Sequence, residues 1–482
     1  MMETGRIAGR ICTELKWLLD LYIIDFYVDE LWKKIPSSWK VLDRLTDSEW
    51  SRVMDENGKP CLTVPLPLSI ICLRSLLSEY SLVNRSCHES LKEVHIDYDK
   101  VMEYESLTVY EKRRVKEKKR DEIERVVPLL RILRDTRPFS SFVDIGSGLG
   151  HLTRAIVSSI PDLNVRGVEG SEELVERAIE LDEKRSEKRV ERMRVWVDGE
   201  SKELLGDHQG FNCYPEEILV CSILKMRMSS MHGVYLSISS ISAVCVGGLH
   251  ACGDLSPSII RLAIAQSTVS ACLLFGCCYH KLNGGQDKLY RQKWEGVEEG
   301  RRNENGFPLS EQMKGQRLSY AARELACHSK SAYVKQLRDK DVNHLHHCVR
   351  AMGELLICRV EGGRHLGMRG VSIERMETKE DVMEWIDRAM IDHQALRDTI
   401  KEKLCDGCSS VPSLDSLPSR ISSFSPTLTT LYNLRVMIAP FVEDIILVDR
   451  VAALRESGFT STVVRLFDPV VSPRCFALIG IR

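Results

Sequence analysis

Residues 141–152 read SFVDIGSGLGHL: an apolar run ends in Asp144, and glycines follow at once at positions 146, 148 and 150. A buried strand that stops on an acid, turns on glycines and enters a helix is a cradle for a nucleoside. The glycines allow the tight turn and let a ligand come close, while the new helix offers unpaired N–H groups and its positive dipole end. A dinucleotide turn reads G-x-G-x-x-G and needs no carboxylate two residues before the first glycine. The spacing here is D-x-G-x-G-x-G, which suits S-adenosylmethionine (SAM) better: the carboxylate attracts the cationic methionine part, and there is no pyrophosphate to seat. Asp144, Gly146, Ser147, Gly148 and Gly150 are therefore the expected cofactor-binding residues. The competing reading is a plain strand–turn–helix that needs glycines for its geometry alone.

Downstream, strands and helices alternate, as in a parallel sheet with crossover helices on both faces. Residues 165–168 make a second strand ending at Glu169, an acid placed to accept hydrogen bonds from ribose hydroxyls or, alternatively, to cap a helix before Ser171. A third strand is expected at 195–197, with Asp198 beside the adenine. The fourth, 241–249, opens onto His250 to Pro257, and the fifth, 269–275, opens onto Gly276 to Leu282. A helix over 434–459 and strands at 461–466 and 475–481 complete the expected fold, a Rossmann-like seven-stranded α/β sheet whose last pair is a hairpin. The division that follows is an N-terminal helical region, 1–110, and a SAM-binding domain, 111–482, with a long helical insertion at about 283–425.

Within the first region, residues 17–32 have the spacing of an amphipathic helix that Pro36 ends, and Thr46-Asp47-Ser48-Glu49 opens another with its cap in place. Residues 106–137 make a helix dense in charge, either a solvated face or a phosphate-facing surface ahead of the cofactor strand.

With 67 Lys and Arg against 69 Asp and Glu in 482 residues, no global field marks a nucleic-acid binder. The 17 Cys, with no secretory leader in MMETGRIAGRICTELKW, read as reduced thiols in the cytoplasm or nucleus. Residues 228–253 lack Asp, Glu, Lys and Arg but are crowded with Ser and Gly; they read as a helix end running into a buried strand, and no membrane span is expected.

The segments IIDFYVDELWKKIPSSW (23–39), DIGSGLGHL (144–152), GLHACGDLSP (248–257), GCCYHKL (276–282), FPLSE (307–311), APFVEDIILVDRVAALRESGF (439–459) and LFDPVVSPR (466–474) together resemble the methyltransferase-like protein 25 family, also called ribosomal RNA adenine dimethylase domain-containing proteins, and its 25B branch in particular. The resemblance implies a SAM-binding seven-strand fold and methyltransferase activity. The loops are also similar to those of a tRNA 2′-O-methyltransferase group with a Cys-Cys-His-His element after the fifth strand, which makes RNA the favoured acceptor. The family's Lys-Lys-x-His-Glu helix reads Lys118-Lys119-Arg120-Asp121-Glu122 here, with Asp in place of His.

The chemistry-bearing residues narrow the reaction. An Asn/Asp-Pro-Pro-Tyr loop for exocyclic adenine amines is missing from residues 249–254, so the dimethylase label lacks its residues; a Pro-Cys nucleophile for pyrimidine C5 is missing too. A 2′-hydroxyl acceptor needs a proton taken from it, and Asp254, Lys281 and His280 are the candidate catalytic residues. Cys277, Cys278 and His280, with Cys252 and His250, invite a zinc reading, but adjacent cysteines are poorly spaced for one ion; small thiols packed beneath the cofactor are expected instead, and no metal. Cys405 and Cys408 have C-x-x-C spacing without a partner pair, and His344, His346 and His347 sit in a charged helical context; both groups read as structural or incidental. A catalytically silent SAM-fold module and a protein methyltransferase remain as alternatives.

Overall fold

The computed structural model describes residues 2–55, 61–97, 115–184, 190–194, 243–284, 306–361, 368, 370–406 and 411–482. Seven strands form one sheet: β1 (Ser141–Ile145), β2 (Asn164–Glu169), β3 (Val190–Arg194), β4 (Val244–Cys252), β5 (Val269–Cys277), β6 (Thr460–Arg465) and β7 (Phe476–Ile481), in the order β3-β2-β1-β4-β5-β7-β6. The first five are parallel; β7 runs antiparallel to both β5 and β6. This is the Rossmann-like seven-stranded methyltransferase fold, with the reversed last pair expected of it. Strands covered on both faces read as continuous apolar runs, which is why β4 and β5 are buried almost throughout.

Several element boundaries differ from expectation: β4 is Val244–Cys252, so His250 to Cys252 belong to the strand and not to the loop after 249, and the charged helix is Glu117–Thr136, not 106–137, of which 106–114 fall outside the described residues. β3 lies at 190–194, not 195–197, and Asp198 falls outside the described residues. Its sequence, VERMR, buries only Met193 fully, because β3 is an edge strand and needs a single apolar contact. Residues 17–32 do not make one helix: Lys16–Leu19 is a single turn, and short 3-10 turns follow at Ile23–Asp25 and Leu31–Lys33, with Glu30 in the left-handed region at φ 48°. The long C-terminal helix begins at Leu417, not 434, and runs to Glu456. Forty residues of helix span about 60 Å. The segment 228–253 is described only from residue 243, where it is strand; among the described residues no helix is long and apolar enough to cross a membrane.

That long helix is buried on nearly all sides from Leu428 to Leu454, the pattern of a helix with no solvent face. Its first part, through Ile446, packs into a helical core built by the N-terminal region (Ala8 to Leu77) together with the segment from Tyr279 to Ile421. Its last turns, Leu447, Val448, Val451 and Leu454, pack into the sheet's core. An aromatic cluster seals the first junction: Trp32 lies 4.5 Å from Phe424, and Phe26 and Tyr27 meet the same ring edge-on.

Thr46 and Glu49 form the expected capping box on Asp47–Met54: Thr46 Oγ1 accepts from the Glu49 N–H and Glu49 accepts from the Thr46 N–H. The second Glu49 oxygen accepts both the N–H and the hydroxyl of Thr63, at 2.7 Å each, and these bonds hold its carboxyl down at about 2. Thr46→Ala removes one side of the box and should cost about 1 kcal/mol; an unchanged urea midpoint would contradict it.

Candidate functional site

At the carboxyl edge of the sheet, the glycine turn is built as its sequence requires. Gly146, Gly148 and Gly150 all take positive φ, at 77°, 54° and 73°, a region L side chains rarely enter. Gly150 closes the turn as the residue before helix His151–Ser159. A Cβ at Gly148 would meet nothing within 4 Å, so the turn faces open space there. A Cβ at Gly150 would strike the Arg192 guanidinium, and one at Gly167 would lie 2.5 Å from the same group.

Arg192 is a functional-site residue the sequence reading missed. It reaches from β3 under the turn and pairs with Asp182 through Nε at 2.8 Å and Nη2 at 3.1 Å; Arg154, in the helix after the turn, pairs with the same carboxylate at 2.7 Å. All three are buried or nearly so, and the trio stiffens the turn from beneath. Nothing in the run ERMR marks one of its arginines as buried; only the register that sets Arg192 opposite Gly167 does.

Asp144 is 2 % exposed at the end of β1, and burial pushes its carboxyl up to about 7. The positive charges of Arg192 and Lys119 oppose that rise, and Glu169 adds to it. Glu169 ends β2 as expected, but its oxygens already accept backbone N–H groups: Gly148 at 2.9 Å on one, Gly170 at 2.9 Å and Ser171 at 3.1 Å on the other. It ties the glycine turn to the next loop, and a carboxylate with about four acceptor positions keeps one for another donor. The helix that follows is capped by Ser171, whose hydroxyl accepts from Leu174 N–H.

The β4 and β5 ends interlock. His250 takes φ 68° at an irregularity between Leu249 and Ala251, which turns its ring toward the charged helix Glu117–Thr136; Nε2 lies 2.8 Å from Glu122. Burial raises the Glu122 carboxyl, but hydrogen bonds from His250 and Ser472 outweigh it and hold the group below its ordinary value. Asp121, where the family pattern has His, is instead at the surface beside Arg125. The helix therefore reaches the edge through Glu122 and Lys119, while Lys116 and Lys118 are exposed at its start.

Of the three candidate catalytic residues, Asp254 accepts the N–H of Asn283 at 2.9 Å and of Gly284 at 2.7 Å, one on each oxygen. Asn283 in turn accepts from Gly306 and Phe307 N–H. His280 directs Nδ1 at Cys327 Sγ, 3.5 Å away, and Lys281 packs its backbone against Gly253, where a Cβ would lie 2.6 Å from the Lys281 Cβ. The three share one rim without converging on a single point. Cys252, Cys277 and Cys278 do converge: Cys252 Sγ lies 2.8 Å from Cys277 Sγ and 3.4 Å from Cys278 Sγ. A Cβ at Gly146 would come 3.1 Å from Leu255, so this rim adjoins the glycine turn.

Two histidines of the 344–347 group have protein partners. His344 bonds Asp47 at 2.9 Å, and His347 stacks on Tyr432 at 4.3 Å. Cys408 lies outside the described residues.

Comparison with known proteins agrees with this geometry. Residues 118–285, from the charged helix through the β5 loop, match the family model described as a methyltransferase domain. The chain is similar to the mouse protein named "Probable methyltransferase-like protein 25", 27 % identical over 273 residues, and to its human counterpart, 26 % identical over 272 residues. The match covers 53 % of this chain and spans 39 % of the length of each relative. A solved coclaurine N-methyltransferase bound to N-methylheliamine and SAH is 11 % identical with a TM-score of 0.22, over 91 % of this chain and 95 % of that one.

Proposed function

We propose that this chain is a SAM-dependent methyltransferase with an RNA acceptor. One observation carries the reading: three left-handed glycines at alternate positions, open to space at Gly148, follow a buried carboxylate near the end of β1, an interior parallel strand of this sheet. Asp144 would face the cationic methionine end, Gly146 to Gly150 would lie along the nucleoside, and Glu169 would use its remaining acceptor position for a ribose hydroxyl. When bound, SAM supplies an electrophilic methyl group on a sulfonium. The chain's part is to hold the acceptor in line with that methyl group and to exclude water.

Support for RNA comes from Lys116 and Lys118, exposed at the start of a helix whose next turn bonds the β4 rim. Phosphates held there would lead a single strand toward the rim. Each oxygen of Asp254 accepts one backbone N–H group, which fixes the Asn283 loop and leaves acceptor positions on the carboxylate. Lys281, His280 and the open acceptor positions of Asp254 are the groups that would take a proton from a hydroxyl acceptor. The bonds that tie Asp254 to the Asn283 loop and His280 to Cys327 favour a second reading, a module that binds the cofactor without turnover.

Calorimetry with SAM and its demethylated product, followed by labelled methyl transfer to cellular RNA and protein fractions, tests both. Binding with nuclease-sensitive label supports the RNA enzyme, and nuclease-resistant label points to a protein acceptor. Binding without label supports the silent module. No binding of either nucleoside at millimolar concentration would remove the cofactor reading.

A further inference from the structure

We infer that Cys252, Cys277 and Cys278 form a binding site for one soft divalent ion, zinc by ligand type, at the rim of the sheet. Among the described residues they form a cluster of metal-ligand type whose donor atoms all lie within 4.8 Å of one another. Adjacent cysteines on a strand point to opposite faces and cannot share an ion. Here the backbone removes that obstacle. Cys278 leaves the strand in the left-handed region at φ 50°, which breaks the alternation and turns its side chain back beside that of Cys277. Cys252 and Cys277 are register partners on neighbouring parallel strands, so their side chains leave the same face.

Tetrahedral zinc with Zn–S near 2.3 Å sets its sulfurs about 3.8 Å apart. Cys252 and Cys278 already lie at 3.4 Å, and Cys252 and Cys277, at 2.8 Å, need to part by about 1 Å, within reach of side-chain rotation. Cys252 Sγ meets both partners at hydrogen-bonding distance, so the three sulfurs already surround one small space. Cys277 is buried, while Cys252 and Cys278 are partly exposed, so the cluster opens on one side. Three protein thiolates and one open side make the ligand count of a zinc site that keeps a position for water or substrate, not of a closed structural site. His280 is not part of it, because its ring is engaged with Cys327. Nothing in this inference requires the transferase reading.

The test uses the full chain, reduced and handled without oxygen, titrated with Cd²⁺ while the thiolate-to-metal charge-transfer band is followed. The band should saturate at one equivalent, and Zn²⁺ should displace it. Cys252→Ser and Cys278→Ser, both at partly exposed positions, should each lose that saturation, whereas Cys61→Ser and Cys405→Ser should leave it intact. X-ray absorption of the zinc-loaded wild type, which needs no variant to fold, should count three sulfur neighbours. A titration with no one-equivalent step, a band unchanged in Cys252→Ser, or a zinc shell without sulfur would overturn the site. So would a chain that takes up no metal after full reduction and only joins Cys252 to Cys277 when treated with peroxide.

Discussion

Asp144→Asn should weaken SAM binding by about 10- to 100-fold, the loss that follows when a charge-assisted contact worth about 1.5–3 kcal/mol becomes neutral. The substitution keeps the shape of a side chain that is 2 % exposed, so the fold should survive, and calorimetry of wild type against variant reads the difference directly. The pH dependence gives a sharper signature. Because burial raises the folded-state carboxyl to about 7, the neutral form is the comfortable one in the free protein, and this group's contribution to stability is lost as pH rises through that value. A cationic ligand prefers the carboxylate. Its affinity should therefore fall as pH drops from about 7.5 to 6, by up to about tenfold per unit below 7, and binding there should release a proton. In Asp144→Asn the same window should be flat. A wild-type affinity that does not change between these pH values would show that Asp144 does not meet the cation.

The second large effect is expected far from the ligand, at Asp449 on the long helix. Its carboxylate is fully buried and accepts the N–H of Leu309, the N–H and hydroxyl of Ser310 at 2.8 Å each, and Arg450 Nη1 at 3.0 Å. Burial alone raises this carboxyl, and Arg450 and the Ser310 and Leu309 N–H groups pull against it. Asp449→Ala would leave a buried guanidinium with the Gly306 carbonyl as its remaining oxygen partner and two backbone N–H groups without theirs. Breaking a buried ion pair from one side costs about 3–5 kcal/mol. Chemical denaturation should show a loss of that size. Asp449→Asn, which keeps an acceptor oxygen, should lose less; equal midpoints for Asp449→Ala and wild type would contradict the account.

These contacts explain several segments that carry family resemblance yet hold no reacting group. The FPLSE stretch hangs the N–H groups of Leu309 and Ser310 on Asp449 and that of Glu311 on Glu456, which also accepts from the next residue, Gln312. LVDR supplies Asp449 and Arg450, and Asn283 joins the residues before FPLSE to Asp254. A continuous set of hydrogen bonds thus runs from the β4 rim to the long helix. Ser472, in LFDPVVSPR, bonds Glu122 at 2.6 Å and so braces the charged helix against the same rim.

The parallel strands and the glycine turn were legible because burial on both faces writes itself as an apolar run, and a left-handed turn as glycine. β3 was misplaced because an edge strand needs few apolar positions; Glu191, Arg192 and Arg194 hid it. The first turns of the long helix were missed because SLPSRISSFSPTLTT is rich in residues that favour turns, and tertiary burial of Leu417, Ile421 and Leu428 overrides that preference. Arg192 was beyond reach, and the three thiols, named together in the sequence, were set aside because adjacent cysteines are poorly spaced for one ion. Each depends on which residues of neighbouring strands stand opposite one another, and spacing along a single chain does not encode that register.

The forty-residue rod from Leu417 to Glu456 has a mechanical consequence. Most of its length is walled in by the helical core and its last turns by the sheet, so it works as a shared spine: a disturbance that shifts it along its axis is felt in both bodies together. The loops at the mouth of the cleft are bolted to that spine through Asp449, Arg450 and Glu456, which makes remote packing around Trp32 and Phe424 a lever on the geometry in which an acceptor would be held.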